Sequence, residues 1–349
     1  MEENLIYHVI GLMSGTSLDG IDLAYCNFIF SNKKWKYEIL ETKMINYSPE
    51  WKNKLRNAIY ISSQELNNLD VELGKYFGKE INQFIVEKSI QKIDFISSHG
   101  HTIFHQPEKK FTLQIGNGEV IKNTTKIKTV FDFRSKDVSL GGQGAPLVPV
   151  GDKLLFSEYD YCVNIGGIAN ISYIENSYSK AFDICFTNMV LNNLSTKLNQ
   201  EFDKDGNIAK ANRVNQKLLK EFLRLDFEKC SLGTELYQKK VLPILEKSIE
   251  TTENKIATFT EYIAIKIANC LEKNSSVLIT GGGAFNTYLI QLIREKSGAK
   301  IIVSDKELID FKEALIFAFL GVLRVENIPN CLASVTGAEY DNIGGKISS

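Results

Sequence analysis

Gly11-Leu-Met-Ser-Gly-Thr-Ser-Leu-Asp-Gly-Ile-Asp22 lies between two apolar runs, Leu5 to Ile10 before it and Ile21 to Phe30 after it. The stretch carries three glycines, three hydroxyls and two carboxylates. Two strands joined by such a turn form a hairpin whose tip exposes backbone N–H groups. Glycine lets a backbone approach a ligand closely, and successive N–H groups make an anion-binding concavity. Ser14, Thr16 and Ser17 add hydroxyl donors, and Asp19 is the candidate ligand for a magnesium ion. The chemistry this predicts is phosphate binding. Taken alone, the stretch also fits an ordinary Gly/Ser/Asp β-turn.

The 349 residues suffice for two domains, each with its own core. Apolar residues make up 44% and charged residues 24%, as in soluble globular chains. A net charge of −1 argues against nucleic acid or an anionic membrane as partner. There is no apolar run of membrane-spanning length and no secretory leader pattern, so the expected location is the cytoplasm. Six cysteines are scattered without a Cys-x-x-Cys pair, which fits reduced, mostly buried thiols.

Along the chain, Trp35 to Tyr47 alternates like a third strand, and Ser48-Pro49 reads as a helix cap followed by Pro at the first helical position. Leu69, Leu73, Phe77, Ile81 and Phe84 recur at helical spacing and predict a face packed on a sheet. Ile93 to Ser98 reads as a short buried strand that runs into the polar cluster Ser98–Pro107. Such clusters after a strand are where open α/β sheets carry ligand groups. Leu140 to Pro149 reads as a Gly/Pro loop.

The pattern then restarts with strands Tyr161–Ile165, Ala169–Ile174 and Lys180–Cys185 and a helix from Asn188. Strand, Gly turn, strand, strand, helix therefore occurs twice, which suggests an internal duplication. Helices fill most of 213–273, with Thr258 or Thr260 as a cap, and a last apolar helix runs from Phe311 to Val325 with Glu313 near its start.

Three Gly turns follow three apolar strands: Gly15-Thr-Ser, Asn164-Ile-Gly-Gly and Gly281-Gly-Gly. In a duplicated α/β layout they suggest a nucleotide in a cleft between two related domains. The sequence here resembles the acetate and sugar kinase/heat-shock/actin superfamily. The fold this implies is α/β, with two related actin-like (ribonuclease H-like) domains. The expected divisions are 1–132 and 133–325, with the tail 326–349 packing back on the first domain. By this resemblance Gly15, Thr16, Ser17, Leu18, Asp19, Gly20, Ile21 and Asp22 form the first phosphate hairpin. Gly166 and Gly167 belong to the second hairpin, and Gly281, Gly282, Gly283 and Asn286 to the adenosine turn.

A closer resemblance is to the anhydro-N-acetylmuramic acid kinase family. It is carried by Ile10–Asp22, Ser98-His-Gly-His-Thr-Ile-Phe-His-Gln-Pro107, Thr112-Leu-Gln-Ile-Gly116, Asp132-Phe-Arg134, Gly141–Pro149, Asn164–Ser172 and Ser334-Val-Thr-Gly-Ala338. The resemblance implies an enzyme that uses ATP and Mg²⁺ to open the 1,6-anhydro ring of a small-molecule sugar. Water adds at C1 and O6 is phosphorylated, a step of cell-wall (peptidoglycan) recycling. Asp183 aligns with the family's catalytic base, and Arg134, Glu313 and His99 with contacts to the sugar. A homodimer stays open.

Three departures from the family pattern stand out. Cys185-Phe186-Thr187 replaces the Gly-Pro-Gly after the base and is expected to alter the sugar pocket. Cys230-Ser-Leu-Gly-Thr-Glu235, with Lys229 before it, replaces a Lys-Ser-Thr-Gly-Arg-Glu run, and Asn192 replaces an Asp. Met13 stands where the superfamily's hairpin Asp would be. His99, His101 and His105 also admit a metal reading, but no Cys or carboxylate stands nearby at ligand spacing, which favours hydrogen bonding. Two other readings remain: a kinase for a different amino sugar, and a non-catalytic binding relative.

Overall fold

The computed structural model describes residues 5–227 and 232–349. The chain divides into two compact units, Met1–Leu155 with Phe311–Ser349, and Phe156–Asp310. The expected divisions after 132 and 325 lie elsewhere for a packing reason. Residues 311–325 lie on the first unit's sheet, where a Cβ on Gly11 would stand 2.1 Å from the Ala314 carbonyl oxygen. The Val148–Leu155 helix joins them through Gly151, which touches Ile316, and through a buried Lys312–Asp152 ion pair at 2.8 Å.

In the first unit, β1 (Leu5–Ser14), β2 (Gly20–Ser31) and β3 (Lys34–Asn46) form an antiparallel meander. Next come β4 (Phe95–Gln106), β5 (Phe111–Ile115) and β6 (Thr129–Phe131). β4 runs parallel to β1 on the side away from β2, and β6 runs parallel to β4.

The second unit repeats the plan. β7 (Tyr161–Ile165), β8 (Ile168–Glu175) and β9 (Tyr178–Phe186) form the meander. β10 (Ser276–Thr280) and β11 (Lys300–Val303) then add in parallel on the β7 side. The shared strand order, β3-β2-β1-β4-β6 in the first sheet and β9-β8-β7-β10-β11 in the second with the same directions, is the ribonuclease H-like plan and bears out the duplication seen in the sequence. The C-terminal strand β12 (Lys346–Ile347) pairs antiparallel with β6 and closes that edge of the first sheet.

Alternation builds both cores. Ile10, Leu12, Ile21 and Leu23 face Leu73, Phe77, Ile81 and Phe84 of the Ser63–Glu87 helix, the stripe expected from its spacing. Val163, Ile165, Val277 and Ile279 pack with Phe259, Ile263, Leu289 and Ile293 in the second unit. Ser48 caps the Pro49–Asn57 helix as read, with its side chain accepting from the Trp51 N–H.

Four local readings are corrected. β4 continues through Gln106, so the polar cluster is the second half of the strand rather than a segment after it; β5 pairs with this half and supplies its backbone partners. The last long helix starts at Lys306, because Asp305 accepts from the Leu308 N–H at 2.7 Å and caps it. Pro149 lies in the first turn of a helix, where its missing N–H leaves no bond unmade. Thr258 and Thr260 are buried inside the Thr252–Ala268 helix, which Thr251 caps. Among the described residues, no helix is long and apolar enough to cross a membrane. Glu228 to Ser231, and with them the expected changes at Lys229 and Cys230, lie outside the described residues.

Candidate functional site

In the first unit, the carboxyl end of β1 lies beside the parallel strand β4, with Ser14 in register with His101. The β1–β2 tip, residues 15–19, stands there. Thr16, Ser17 and Asp19 are exposed, and the Leu18 N–H closes a turn onto the Gly15 carbonyl at 3.3 Å. Leu18 holds φ +62° and packs on the core, while Ile21 is fully buried. Gly20 is required where it is, since a Cβ would lie 2.0 Å from the Ile45 carbonyl oxygen. Ser14 is not at the tip: it is fully buried and bonded to Tyr47 and His101.

The same unit brings together three residues that are distant in sequence. Arg134 donates from Nε and Nη2 to His99 Nε2 at 3.1 and 2.9 Å, and from Nη1 to the Gly144 carbonyl at 2.6 Å. His99 Nδ1 lies 2.9 Å from the Gly100 carbonyl oxygen, which fits a neutral ring protonated at Nδ1. Burial and the Arg134 charge hold the His99 pKa well below its ordinary value, consistent with that tautomer. The guanidinium also sits 5.9 Å from the centre of the Phe317 ring. Burial lowers its pKa to about 10 against the pull of Glu313, so it stays charged at neutral pH.

Glu313 is exposed to solvent, yet the loss of surrounding water raises its pKa, opposed by the Arg134 and Lys312 charges. Among the described residues, Arg134 and Glu313 form no direct ion pair. Arg134 therefore keeps one N–H on each terminal nitrogen for a ligand, and Glu313 keeps its acceptor oxygens. A pocket of about 180 Å³ opens beside His99, lined by Ser98, Gln114, Gly116, Asp132 and Lys346 among others.

The loop that holds Arg134 is organised by a residue with no signal in the sequence. Asp137 is fully buried and accepts from the Gly144 N–H at 2.8 Å, the Thr336 hydroxyl at 2.9 Å and the Asn342 side chain at 2.8 Å. Two of these partners, Thr336 and Asn342, stand 199 and 205 residues away in sequence, in and after the Ser334–Ala338 motif, so the sequence around Asp137 does not reveal them.

The other two histidines of the 98–107 segment are engaged as well. His105 Nδ1 lies 3.2 Å from the Thr112 hydroxyl, and His101 Nδ1 lies 2.8 Å from Ser14. Burial takes His101 down to about 4.

In the second unit, two Gly turns that are over a hundred residues apart become neighbours. Gly166–Gly167 follows β7 and Gly281–Gly283 follows β10, and β7 and β10 are adjacent parallel strands. Gly281 has φ +79°, and a Cβ there would stand 2.6 Å from Asn164 Oδ1. Gly167 and Gly282 are exposed. The Gly166 and Gly167 carbonyls accept from the N–H groups of Thr187, Asn188 and Met189. The first turn of the Asn188–Thr196 helix is thereby tied to the glycine turn. Asn286 is mostly buried and caps the Thr287–Ser297 helix through the Leu289 N–H at 2.9 Å, so its side-chain oxygen already has a partner.

Asp183 lies on β9, where an extra residue, Ile184, is inserted opposite the Ala169–Asn170 step of β8. A bulge of this kind re-aims neighbouring side chains. Asp183 is half-buried; its Oδ2 accepts from the Leu232 N–H at 3.0 Å, and burial raises its pKa against that bond.

The three residues after Ile184 correct an expectation. Cys185, Phe186 and Thr187 are all fully buried in the second unit. Phe186 meets Phe227 edge-on with ring centres 5.4 Å apart, and the Thr187 hydroxyl donates to the Gly166 carbonyl at 2.7 Å. Their side chains fill this unit's own interior and its glycine turn rather than a ligand pocket.

The chain matches known proteins along nearly its whole length. A family profile described as anhydro-N-acetylmuramic acid kinase matches residues 7–349. A protein of that name from Sulfurimonas denitrificans is 35% identical over 97% of this chain and 98% of its own length. Its namesake from Mannheimia succiniciproducens is 33% identical over 96% of each chain. The one from Caldanaerobacter subterraneus is 32% identical over 97% of this chain and 96% of its own. With a profile spanning nearly every residue and relatives matched end to end, the chain belongs to the anhydro-N-acetylmuramic acid kinase family.

Proposed function

We propose that the protein phosphorylates anhydro-N-acetylmuramic acid at O6 with ATP while water opens the 1,6-anhydro ring, giving N-acetylmuramic acid 6-phosphate. The observation that carries this reading is family membership along the whole chain together with an intact Arg134–His99 constellation. Asp183 is the base. Its carboxylate takes a proton from water as the water oxygen bonds to C1. The bond from C1 to the bridging oxygen breaks and leaves that oxygen on C6. This oxygen then bonds to the γ-phosphorus of ATP, and ADP departs. A carboxylate whose pKa is raised by burial is a stronger base than an ordinary one.

Arg134 binds an anionic or oxygen-rich part of the sugar through its two remaining N–H groups, and Glu313 accepts from a hydroxyl. The tip from Gly15 to Asp22 and the Gly166–Gly167 turn hold phosphates through backbone N–H groups. The Gly281–Gly283 turn carries the adenosine. Among the described residues no group of three His, Cys, Asp or Glu side chains could hold a metal ion. Asp19 offers one exposed carboxylate, so magnesium would come mainly coordinated by the triphosphate and water.

The test is ADP formation in a coupled assay with ATP and the anhydro sugar, run beside free amino sugars. Turnover restricted to the anhydro form supports the reading. Turnover only on free sugars moves the function to another amino-sugar kinase, and sugar binding without ADP formation reduces it to a binding protein.

A further inference from the structure

The β1–β2 tip is held at both of its feet by one residue outside the motif. The hydroxyl of Tyr47 lies 2.6 Å from Ser14 Oγ, at the end of β1, and the backbone N–H of Tyr47 donates to the Asp19 carbonyl at 3.0 Å, just before β2. Ser14 Oγ lies in turn 2.8 Å from His101 Nδ1, and Ser14 and His101 are register partners in the parallel β1–β4 pair. Ser14 is fully buried, His101 is 2% exposed and Tyr47 is 3% exposed, so water does not compete for these bonds. The ring of Tyr47 is fixed besides by Tyr76 at 6.1 Å and by the edge of His101 at 6.4 Å between ring centres.

The chain of bonds has a direction. Ser14 is the one side-chain partner of the Tyr47 hydroxyl among the described residues, and a buried phenol proton left unpaired is costly. Tyr47 therefore donates to Ser14, Ser14 donates to His101 Nδ1, and the neutral imidazole carries its proton on Nε2.

We infer that Tyr47, Ser14 and His101 are positioning residues for nucleotide phosphate. They lock the two feet of the 15–19 tip, and so fix where its backbone N–H groups point. This rests on the tip being the phosphate hairpin of the proposed kinase. None of the three touches the nucleotide in this account. Their contribution is preorganisation: a tip already set in its binding geometry does not lose that freedom when the triphosphate arrives.

The chemistry predicts which replacements succeed. Gln at 101 keeps an acceptor within reach of the Ser14 hydroxyl, whereas Leu removes it. Phe at 47 keeps the ring stack and the backbone bond to Asp19 and deletes only the hydroxyl.

The experiment is calorimetric titration of the full-length protein and its variants with ATP and, separately, with adenosine, which lacks the phosphates. Tyr47→Phe and His101→Leu are expected to weaken ATP by about tenfold, the size of one buried hydrogen bond, and adenosine by less than about twofold. His101→Gln is expected to keep wild-type ATP affinity. Ser14→Ala, which removes the central oxygen, should reproduce the Tyr47→Phe result if either ring variant fails to fold. Equal weakening of ATP and adenosine, or unchanged ATP binding in every folded variant, overturns the inference alone. Absence of ATP binding by the unsubstituted protein overturns it together with the kinase reading.

Discussion

Arg134 donates to a single atom of His99 from two of its nitrogens, Nε at 3.1 Å and Nη2 at 2.9 Å. His99 thereby acts as a neutral acceptor that sets the plane of the guanidinium, with the Gly144 carbonyl fixing its third corner. The two N–H groups left over then point in directions chosen by the protein. His99→Leu removes the acceptor and keeps an apolar side chain against Phe317. The expected outcome is a KM for the sugar raised at least about tenfold, as for loss of a charge-assisted hydrogen bond. The KM for ATP stays within about twofold. Initial rates at varied concentrations of each substrate check this.

Asp137 joins the Arg134 loop to the C-terminal segment through three accepted hydrogen bonds. Asp137→Ala leaves the Thr336 hydroxyl, the Asn342 amide and the Gly144 N–H without that partner. A loss of about 3 kcal/mol in stability is expected, together with weaker sugar binding because Gly144 no longer holds Arg134. Denaturant unfolding and sugar titration measure the two effects separately.

Cutting back the three side chains that replace the family's Gly-Pro-Gly after Asp183 is predicted to destabilise the protein. Phe186 is fully buried against Phe227 and Tyr237, so Phe186→Ala costs about 3–5 kcal/mol from the lost side chain and the cavity it leaves. Cys185→Gly and Thr187→Gly add backbone freedom in the unfolded chain. Chemical denaturation of the single variants and of the triple variant reads this directly.

Acid destabilises the protein through its histidines, of which His99 and His101 are buried. Burial lowers the pKa of His99, His101 and His105 from the ordinary 6.5, His101 to about 4. Below pH 6.5 the unfolded chain binds protons that the folded chain refuses, so stability falls as pH drops. For His101 the loss runs from pH 6.5 down to about 4, at a limiting slope of about 1.4 kcal/mol per pH unit. Melting temperatures across this range should fall less steeply for His101→Gln than for the unsubstituted protein.

Much of the fold was legible because strands alternate and glycine turns punctuate them. The meanders at 5–46 and 161–186, the helix stripe from Leu69 to Phe84 and the Ser48 cap all follow from local pattern. What was not legible depends on partners far along the chain. β4 extends to Gln106 because β5 returns to pair with it, although its residues are polar. Ser14 looks like a tip hydroxyl until Tyr47 and His101 are brought to it. Cys185, Phe186 and Thr187 look like intruders in a pocket because sequence order does not reveal which side of β9 holds the core. Arg134, His99 and Glu313 could be named only through the family resemblance, since nothing in their spacing brings them together.

The central claim is that Asp183 removes the proton from the attacking water. Asp183→Asn keeps the side chain's shape and an oxygen able to accept from the Leu232 N–H, but it lacks the basic carboxylate. The decisive measurement is the turnover of Asp183→Asn with ATP and anhydro-N-acetylmuramic acid, with binding of both ligands measured on the same sample. The account predicts binding within about threefold of the unsubstituted protein and turnover reduced by about 10²–10⁴, the usual size of a general-base contribution. Turnover within about twofold of the unsubstituted protein would contradict it.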